Sequence, residues 1–351
     1  GYTVVKSKDI WGFQNNQDFL FMRVTFSNLK KRRNTDYFLK SPLKLSSGPF
    51  PLKVYESNLD PILRMMHRTG IQSTGWLDTG KDCVRSNLAH VTIDLFCNNW
   101  ETLTPIKSDD VAPFVVASFD IESNSSTGKF PNADISGDAC FQIAVSLCTP
   151  DTDEPYDKTC FCYKKTDADL DGSTILSYDT EKEMLEAFRN YIITQDIDIM
   201  TGWNIFGFDL EYIYKRAIKV GCSRTFFNLG RFKNEESEMV YKRLSSSALG
   251  DNMLKLLPMS GRFIFDMFHE VKKGYKLDSY SLNNVSKLYL GDQKIDMSPK
   301  EMFARYVEGD PVKLREVAEY CIKDTLLPHK LMKKMCILLN LLEMAKATWV
   351  P

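Results

Sequence analysis

Five residues in this chain have the types and spacings for phosphodiester hydrolysis: Asp120 and Glu122 in SFDIES, Asp209 in NIFGFD, and Tyr320 with Asp324 in YCIKD. Side chains on a strand alternate, so Asp120 and Glu122 share one face of an otherwise apolar segment while Phe119 and Ile121 point the other way. Two bare carboxylates there repel, and burying them is costly unless a cation compensates. Tyr320 and Asp324 are four residues apart and share a helix face, with Val317, Ala318, Cys321 and Leu327 packing inward. Asp209 can serve as the N-cap of a helix over LEYIYKRAI, with Phe208 stapled onto Ile213. Taken singly, each has an ordinary structural explanation: a strand edge, a core tyrosine, a helix cap. Gathered in one cleft, the four acids would hold two divalent cations and the set would be a nuclease site.

The elements that must position these residues can be read in turn. VVASFDIES and ACFQIAVSL are expected to be neighbouring strands joined by a polar loop holding Gly128, Pro131 and Gly137. A helix starts after Thr180, where Thr180 and Glu183 form a capping box and Met184, Phe188 and Tyr191 keep one apolar face. DIDIMTGWN returns as a strand. Residues 241–258 read as a protruding hairpin turning at Gly250, Asp251 and Asn252. A helix over SYSLNNVSKLYL closes at Gly291, and the last long helix opens with Asp310 and Pro311. Pro328 has no N–H for the Asp324 carbonyl, so a kink or break is expected one turn after that aspartate. Alternating strands and helices argue an α/β class.

The first hundred residues read as short strands and turns, including FLFMRVTF and the alternating AHVTIDLF. One short helix starts at Asp60 and Pro61, and the basic run Lys30, Lys31, Arg32, Arg33 is read as a solvated loop. The proline-bearing join TPIKSDDVAP marks the boundary expected between an N-terminal domain, residues 1–112, and a second domain, residues 113–340, with residues 341–351 leading onward. Lysine plus arginine total 45 against 46 aspartate plus glutamate, so any nucleic-acid binding must be local. Nine scattered cysteines and four separated histidines lack the spacing of a zinc site or a disulfide framework, which reads as a reducing compartment. No apolar run reaches the length needed to span a bilayer, so no membrane partner is expected. A chain that opens at Gly1 and ends at ATWVP just past a helical pattern is expected to be a piece of a longer protein.

The ordered set D-x-E on a strand, N-x-x-x-F-D at a strand-to-helix turn and Y-x-x-x-D on a late helix resembles the three exonuclease motifs of family B DNA polymerases. TGWNIFGFDLEYIYKRA, GRFIFDMF, KLDSYSLNNVSKLYLG and LLNLLEMAKATWVP extend the likeness to the delta-type members of eukaryotes and large DNA viruses. It covers the chain from about Gly75 onward and is weaker before that.

The resemblance implies an RNase H-like fold with a mixed sheet, of the tyrosine subtype of the DEDD nucleases, preceded by a strand-rich N-terminal domain. It also implies a proofreading 3′–5′ exonuclease. Asp120, Glu122 and Asp324 would bind two metals, Mg2+ with Mn2+ as substitute, and Asp209 would hold the second metal partly through water. Tyr320 would orient the attacking water, and Asn204 and Phe208 would contact the separated primer end. Trp203 and Phe206 are expected in the core, His329 is misplaced for the histidine subtype, and the hairpin would help part primer from template. Implied partners are the single-stranded 3′ end of a DNA primer, the remaining polymerase domains and, through them, a sliding clamp or accessory subunits. The implied location is the nucleus, or the nucleus or cytoplasm of an infected cell. The polymerising motifs are absent from the sequence. A catalytically idle module that braces DNA is the competing expectation.

Overall fold

The computed structural model describes residues 1–152, 154–246, 250–292 and 297–350. Its contacts divide the chain into two compact units, one formed by Gly1–Ile71 with the last residues from Trp349, the other by Gln72–Thr348. The first unit holds β1 (Tyr2–Lys8), β2 (Asp18–Val24), α1 (Leu29–Leu39), β3 (Leu43–Leu45), β4 (Gly48–Phe50) and α2 (Pro61–Thr69). Strands β1 and β2 pair antiparallel, as do β3 and β4. Helix α2 begins at the expected cap: Asp60 accepts from the Ile62 N–H, Pro61 opens the first turn and Gly70 closes the helix in the left-handed region. The basic run is not a loop. It lies in α1, because the Asn28 side chain accepts from the N–H groups of Lys30 and Lys31 and nucleates a helix there. Lys30, Lys31 and Arg33 are nonetheless solvated.

The second unit begins with β5 (Trp76–Asp78), β6 (Cys83–Arg85), β7 (Leu95–Cys97) and β8 (Thr104–Ile106). Of the segment read as the strand AHVTIDLF, only Leu95 and Phe96 enter a strand. The Asp94 carboxylate accepts from the N–H groups of Leu88 and Ala89, and this local bond competes with ladder pairing.

The body of this unit contains β9 (Val116–Ser123), β10 (Cys140–Cys148), β11 (Asp157–Tyr163), β12 (Thr174–Tyr178), α3 (Glu181–Thr194), β13 (Ile199–Thr201), α4 (Asp209–Lys219) and α5 (Ser223–Phe226). It continues with β14 (Val240–Ser246), β15 (Gly250–Leu256), β16 (Phe263–Ile264), α6 (Met267–Gly274), α7 (Leu282–Leu290), α8 (Pro299–Glu308), α9 (Pro311–Lys334) and α10 (Ile337–Thr348). Six strands form one sheet in the order β12-β11-β10-β9-β13-β16. It is mixed: β9, β10 and β11 run antiparallel in turn, whereas β13 is parallel to both β9 and β16.

Every residue of β10 is buried, as expected of a strand covered on both faces. On one face Ala117, Phe119 and Ile121 pack with Met184, Leu185, Phe188 and Ile192 of α3 and with Leu210 and Ile213 of α4. On the other, Ala144, Cys160 and Cys162 meet Ala318, Cys321 and Ile322 of α9. Strand alternation therefore sends Asp120 and Glu122 toward the face covered by α9. The capping box of α3 is present, and α7 closes at Gly291 in the left-handed region.

Three expectations need correction in detail. Residues Gly250 to Asn252 lie in the second hairpin strand, paired with Ser246 to Leu244, and are not its turn. Of the kink or break expected at Pro328 the break does not occur: helix α9 runs through Pro328 to Lys334, its second half anchored by buried Leu327, Leu331 and Met332. Asp209 is the first residue of α4; Phe208 occupies the cap position and no side chain caps the helix.

Candidate exonuclease site

Strand β9 delivers Asp120 and Glu122 side by side on the sheet face beneath α9. Opposite Glu122 the β9–β10 ladder shifts register between Cys140 and Gln142, a bulge of the kind that re-aims side chains next to sites. Carboxylate oxygens of Asp120 and Glu122 and the sulfur of Cys321 all lie within 4.8 Å of one another. Cys321 reaches Asp120 twice, its thiol lying 3.6 Å from the Asp120 carbonyl and 3.8 Å from Oδ2. The sequence reading treated Cys321 only as core packing; its place against Asp120 depends on α9 crossing β9.

Asp324 is 3 % exposed and Glu122 8 %. Asp324 stands one turn after Tyr320 on α9, and burial first, then the charges of Asp120, Glu122 and Asp324, push the Cys321 thiol well above its usual range. Asp324 lies three residues past Cys321 on α9, and Cys321 is the residue of that helix that meets the two β9 carboxylates. Tyr320 is half-buried, packed against the cluster of Ala139, Phe141 and Val317.

Asp209 is 4 % exposed, and with no capping bond to make it has lost the structural explanation that its sequence position offered. Burial, followed by the Asp120 charge, pushes its carboxyl well above the ordinary carboxylate range, although it accepts a bond from the backbone of Ile121. Burial in low dielectric and a like charge both disfavour ionisation, and a divalent cation reverses both effects. The donor set fits a cation: Asp120 and Glu122 lie side by side on β9, and buried Asp209 on α4 feels the Asp120 charge, with buried Asp324 further along α9.

The loop that carries Asn204, Phe208 and Asp209 is held by a residue the sequence reading passed over. Asp266, at the cap of α6, accepts from the N–H groups of Asn204 (2.8 Å), Phe206 (3.0 Å) and Phe268 (2.9 Å). Burial pushes its carboxyl up to about 6 even though those three donors favour the ionised form. Asn204 has φ of 63°, and its carbonyl accepts from both Gly207 and Phe208, so the segment is a tight turn with the Asn204 amide against Gly207. Gly202 is required by close approach, since a Cβ there would lie 2.5 Å from the Phe119 carbonyl oxygen, beside Asp120. Phe208 is half-buried between Tyr212 and the ring of Phe130, which is 77 % exposed. Trp203 and Phe206 are half-buried against the two cores, in keeping with the packing role expected for them. Lys255 of β15 ties the hairpin to this turn through its N–H to Phe206 and its ammonium to Gly207 and Glu211.

A second clamp fixes the loop between β9 and β10. Arg216 of α4 makes a buried ion pair with Glu181 and donates to the carbonyls of Ala133 and Ile135, while Glu181 also accepts from the Cys140 N–H. His329 lies apart from the acids: Nε2 is 2.9 Å from the Ser146 carbonyl and Nδ1 is 3.0 Å from the Cys148 sulfur.

Residues 52–285 match the family model described as DNA polymerase family B, exonuclease domain, more than half of the chain. The chain belongs to the family B DNA polymerases. Within that family it is 34 % identical over 353 residues to the DNA polymerase of Paramecium bursaria Chlorella virus NY2A, covering 99 % of this chain and 37 % of that protein. It is 31 % identical over 355 residues to the DNA polymerase delta catalytic subunit of Arabidopsis thaliana, covering 99 % and 32 %. It is 34 % identical over 321 residues to the delta catalytic subunit of Caenorhabditis elegans, covering 88 % and 29 %. The chain thus spans about a third of the length of the curated relatives it matches. The matched family B exonuclease segment holds Asp120, Glu122, Asn204, Phe208 and Asp209; Tyr320 and Asp324 lie beyond it, in the part shared with the longer alignments.

Proposed function

We propose that this chain is the proofreading 3′–5′ exonuclease region of a delta-type family B DNA polymerase, RNase H-like in fold and of the tyrosine DEDD subtype. The observation that carries the reading is the half-buried Asp120 beside buried Glu122 on β9, with buried Asp209 at the head of α4 under the Asp120 charge; buried Asp324, three residues past Cys321 on α9, supports it. A mixed sheet whose central strand bears the first two acids supports the fold assignment.

Asp120, Glu122, Asp209 and Asp324 would hold two divalent cations, Mg2+ by preference for an oxygen-rich site and Mn2+ in its place. Such cations, when bound, make a nucleophile of water near neutral pH and stabilise the leaving oxygen of a phosphodiester. Tyr320 would hydrogen-bond the attacking water and orient it. Phe208, braced by Tyr212 and Phe130, offers a stacking surface for the terminal base, and the Asn204 turn lies beside it. Cys321 and Asp266 act through others, the first by fixing Asp120, the second by holding the Asn204–Phe208 turn.

Residues 1–112 are read as the N-terminal domain, 113–340 as the exonuclease domain and 341–351 as the lead toward polymerising domains. The whole protein would synthesise DNA. Its partners would be the single-stranded 3′ end of a primer, the other polymerase domains and a clamp or accessory subunits. It would act in the nucleus, or in the nucleus or cytoplasm of an infected cell. Among the described residues no helix is long and apolar enough to cross a membrane.

The test is digestion of a 3′-labelled single-stranded oligodeoxynucleotide with magnesium, comparing the wild type with the Asp120→Ala, Glu122→Ala double variant. The wild type should shorten the strand from its 3′ end and the variant should not. Equal digestion by both would remove these acids from the mechanism, and none by either would favour a module that only braces DNA.

A further inference from the structure

Two of the nine cysteines face each other in register at the ends of a small antiparallel ribbon. Cys83 of β6 and Cys97 of β7 are direct cross-strand partners, followed by Val84 with Phe96 and Arg85 with Leu95. Directly opposed residues of an antiparallel pair have Cα atoms about 4.5 or 5.5 Å apart, depending on the hydrogen-bonding position. Both separations lie inside the roughly 4.4–6.8 Å that a disulfide spans. Both thiols are free and half-buried, open to a small oxidant. The other close pair, Cys160 and Cys162, is fully buried.

From this geometry we infer that Cys83 and Cys97 form a redox modification site, closing to a cross-strand disulfide by exchange with a low-molecular-weight disulfide such as oxidised glutathione. One protein thiolate attacks a glutathione sulfur, forms a mixed disulfide and expels a glutathione thiolate. The second protein thiolate then attacks the protein sulfur of that mixed disulfide and expels the other glutathione. The protein loses two electrons and two protons, and one oxidised glutathione becomes two reduced molecules. The Cys83 thiol is held above its usual range by burial and then by its Cys97 neighbour, so exchange should quicken as pH rises. A zinc site is the weaker reading: among the described residues no third ligand joins these two sulfurs.

The bond would staple a ribbon whose loop is docked elsewhere in the same unit. The His90 N–H donates to the Arg231 carbonyl (2.7 Å), the Lys233 N–H donates to the Leu88 carbonyl (3.0 Å), and Ala89 bridges Phe232. Closing the ribbon at its open end removes freedom from the unfolded chain and from the locally opened loop, and so should tighten that docking.

The experiment incubates the whole chain with excess oxidised glutathione, blocks remaining thiols with iodoacetamide and maps peptides by mass spectrometry. A Cys83–Cys97 peptide pair two hydrogens lighter than the reduced peptides, released by dithiothreitol, is expected. So are an upward shift in thermal midpoint, absent from Cys83→Ser and Cys97→Ser, and slower proteolysis between Ser86 and Asp94. If both residues stay as open to alkylation as Cys336, halt as mixed glutathione adducts, or link to other cysteines, the inference fails. The wild-type map decides this even if a serine variant does not fold.

Discussion

Replacing His329 by glutamine is expected to remove much of the fall in stability between pH 7 and pH 5. The imidazole is buried, with Nε2 donating to the Ser146 carbonyl and Nδ1 facing the Cys148 thiol, which burial pushes up to about 12 and so keeps protonated. That thiol can donate to a neutral Nδ1 but leaves no acceptor for a second imidazole proton. Burial accordingly lowers the His329 pKa from 6.5 to about 4. The unfolded chain takes up a proton near 6.5, whereas the folded chain resists until about 4, so stability is whole above the first value and is lost as pH falls toward the second. At pH 7 the penalty is small, and at pH 5 it reaches about 2 kcal/mol, since each unit of separation is worth about 1.4 kcal/mol. Glutamine keeps a donor for Ser146 but does not titrate. Urea denaturation at pH 7, 6 and 5 should show the wild type losing about 2 kcal/mol more than His329→Gln, whatever packing the variant sacrifices. Parallel pH dependences would mean that the histidine is charged or hydrated in the fold, and the enclosed arrangement described for it would be wrong.

Magnesium or manganese at millimolar levels should raise the thermal midpoint of the wild type and leave that of Asp120→Ala, Asp324→Ala unchanged, read by scanning fluorimetry; no wild-type shift would count against a preformed cation site. Asp266→Asn leaves one carbonyl oxygen to serve three N–H donors and turns an amide toward them. It should cost about 1–3 kcal/mol in denaturant melts and slow oligonucleotide digestion more than a distant mutation of equal cost. Arg216→Met strands Glu181 in the core and should cost about 3–5 kcal/mol, measured the same way, whereas replacing both partners by apolar residues should recover much of that loss.

The elements most legible in the sequence were those set by near neighbours. Thr180 with Glu183, Asp310 with Pro311, and Gly291 announce helix ends because caps are local bonds, and strand alternation separated Asp120 and Glu122 from Phe119 and Ile121 before any fold was known. Charge obscured one helix: four basic residues drew attention from Asn28, whose side chain starts α1. Pattern misled in AHVTIDLF, where alternation was real but Asp94 bends the backbone back on itself. The start of α4 was read one residue too late, which put Asp209 at the cap, and the correction matters because the cap would have explained it away. Asp266 could be found from the sequence only as a local cap for Phe268, and Cys321 only as packing. Their other partners lie about sixty and two hundred positions away, and only the assembled sheet brings them within bonding distance.

Helix α9 joins distant parts of this unit mechanically. Its 24 residues make a rod about 36 Å long, unbroken at Pro328. The part up to Asp324 carries Tyr320 and Asp324 past β9 and β10; the part from Leu327 is sunk in a separate cluster with Val116, Phe265, Val285 and Leu338. A rod seated at both ends cannot let go of one without shifting the other. Loosening the far cluster by heat or mutation should therefore draw Asp324 away from Asp120 and Glu122 at once, so that cleavage disappears in a single step with the melting of that cluster instead of fading ahead of it.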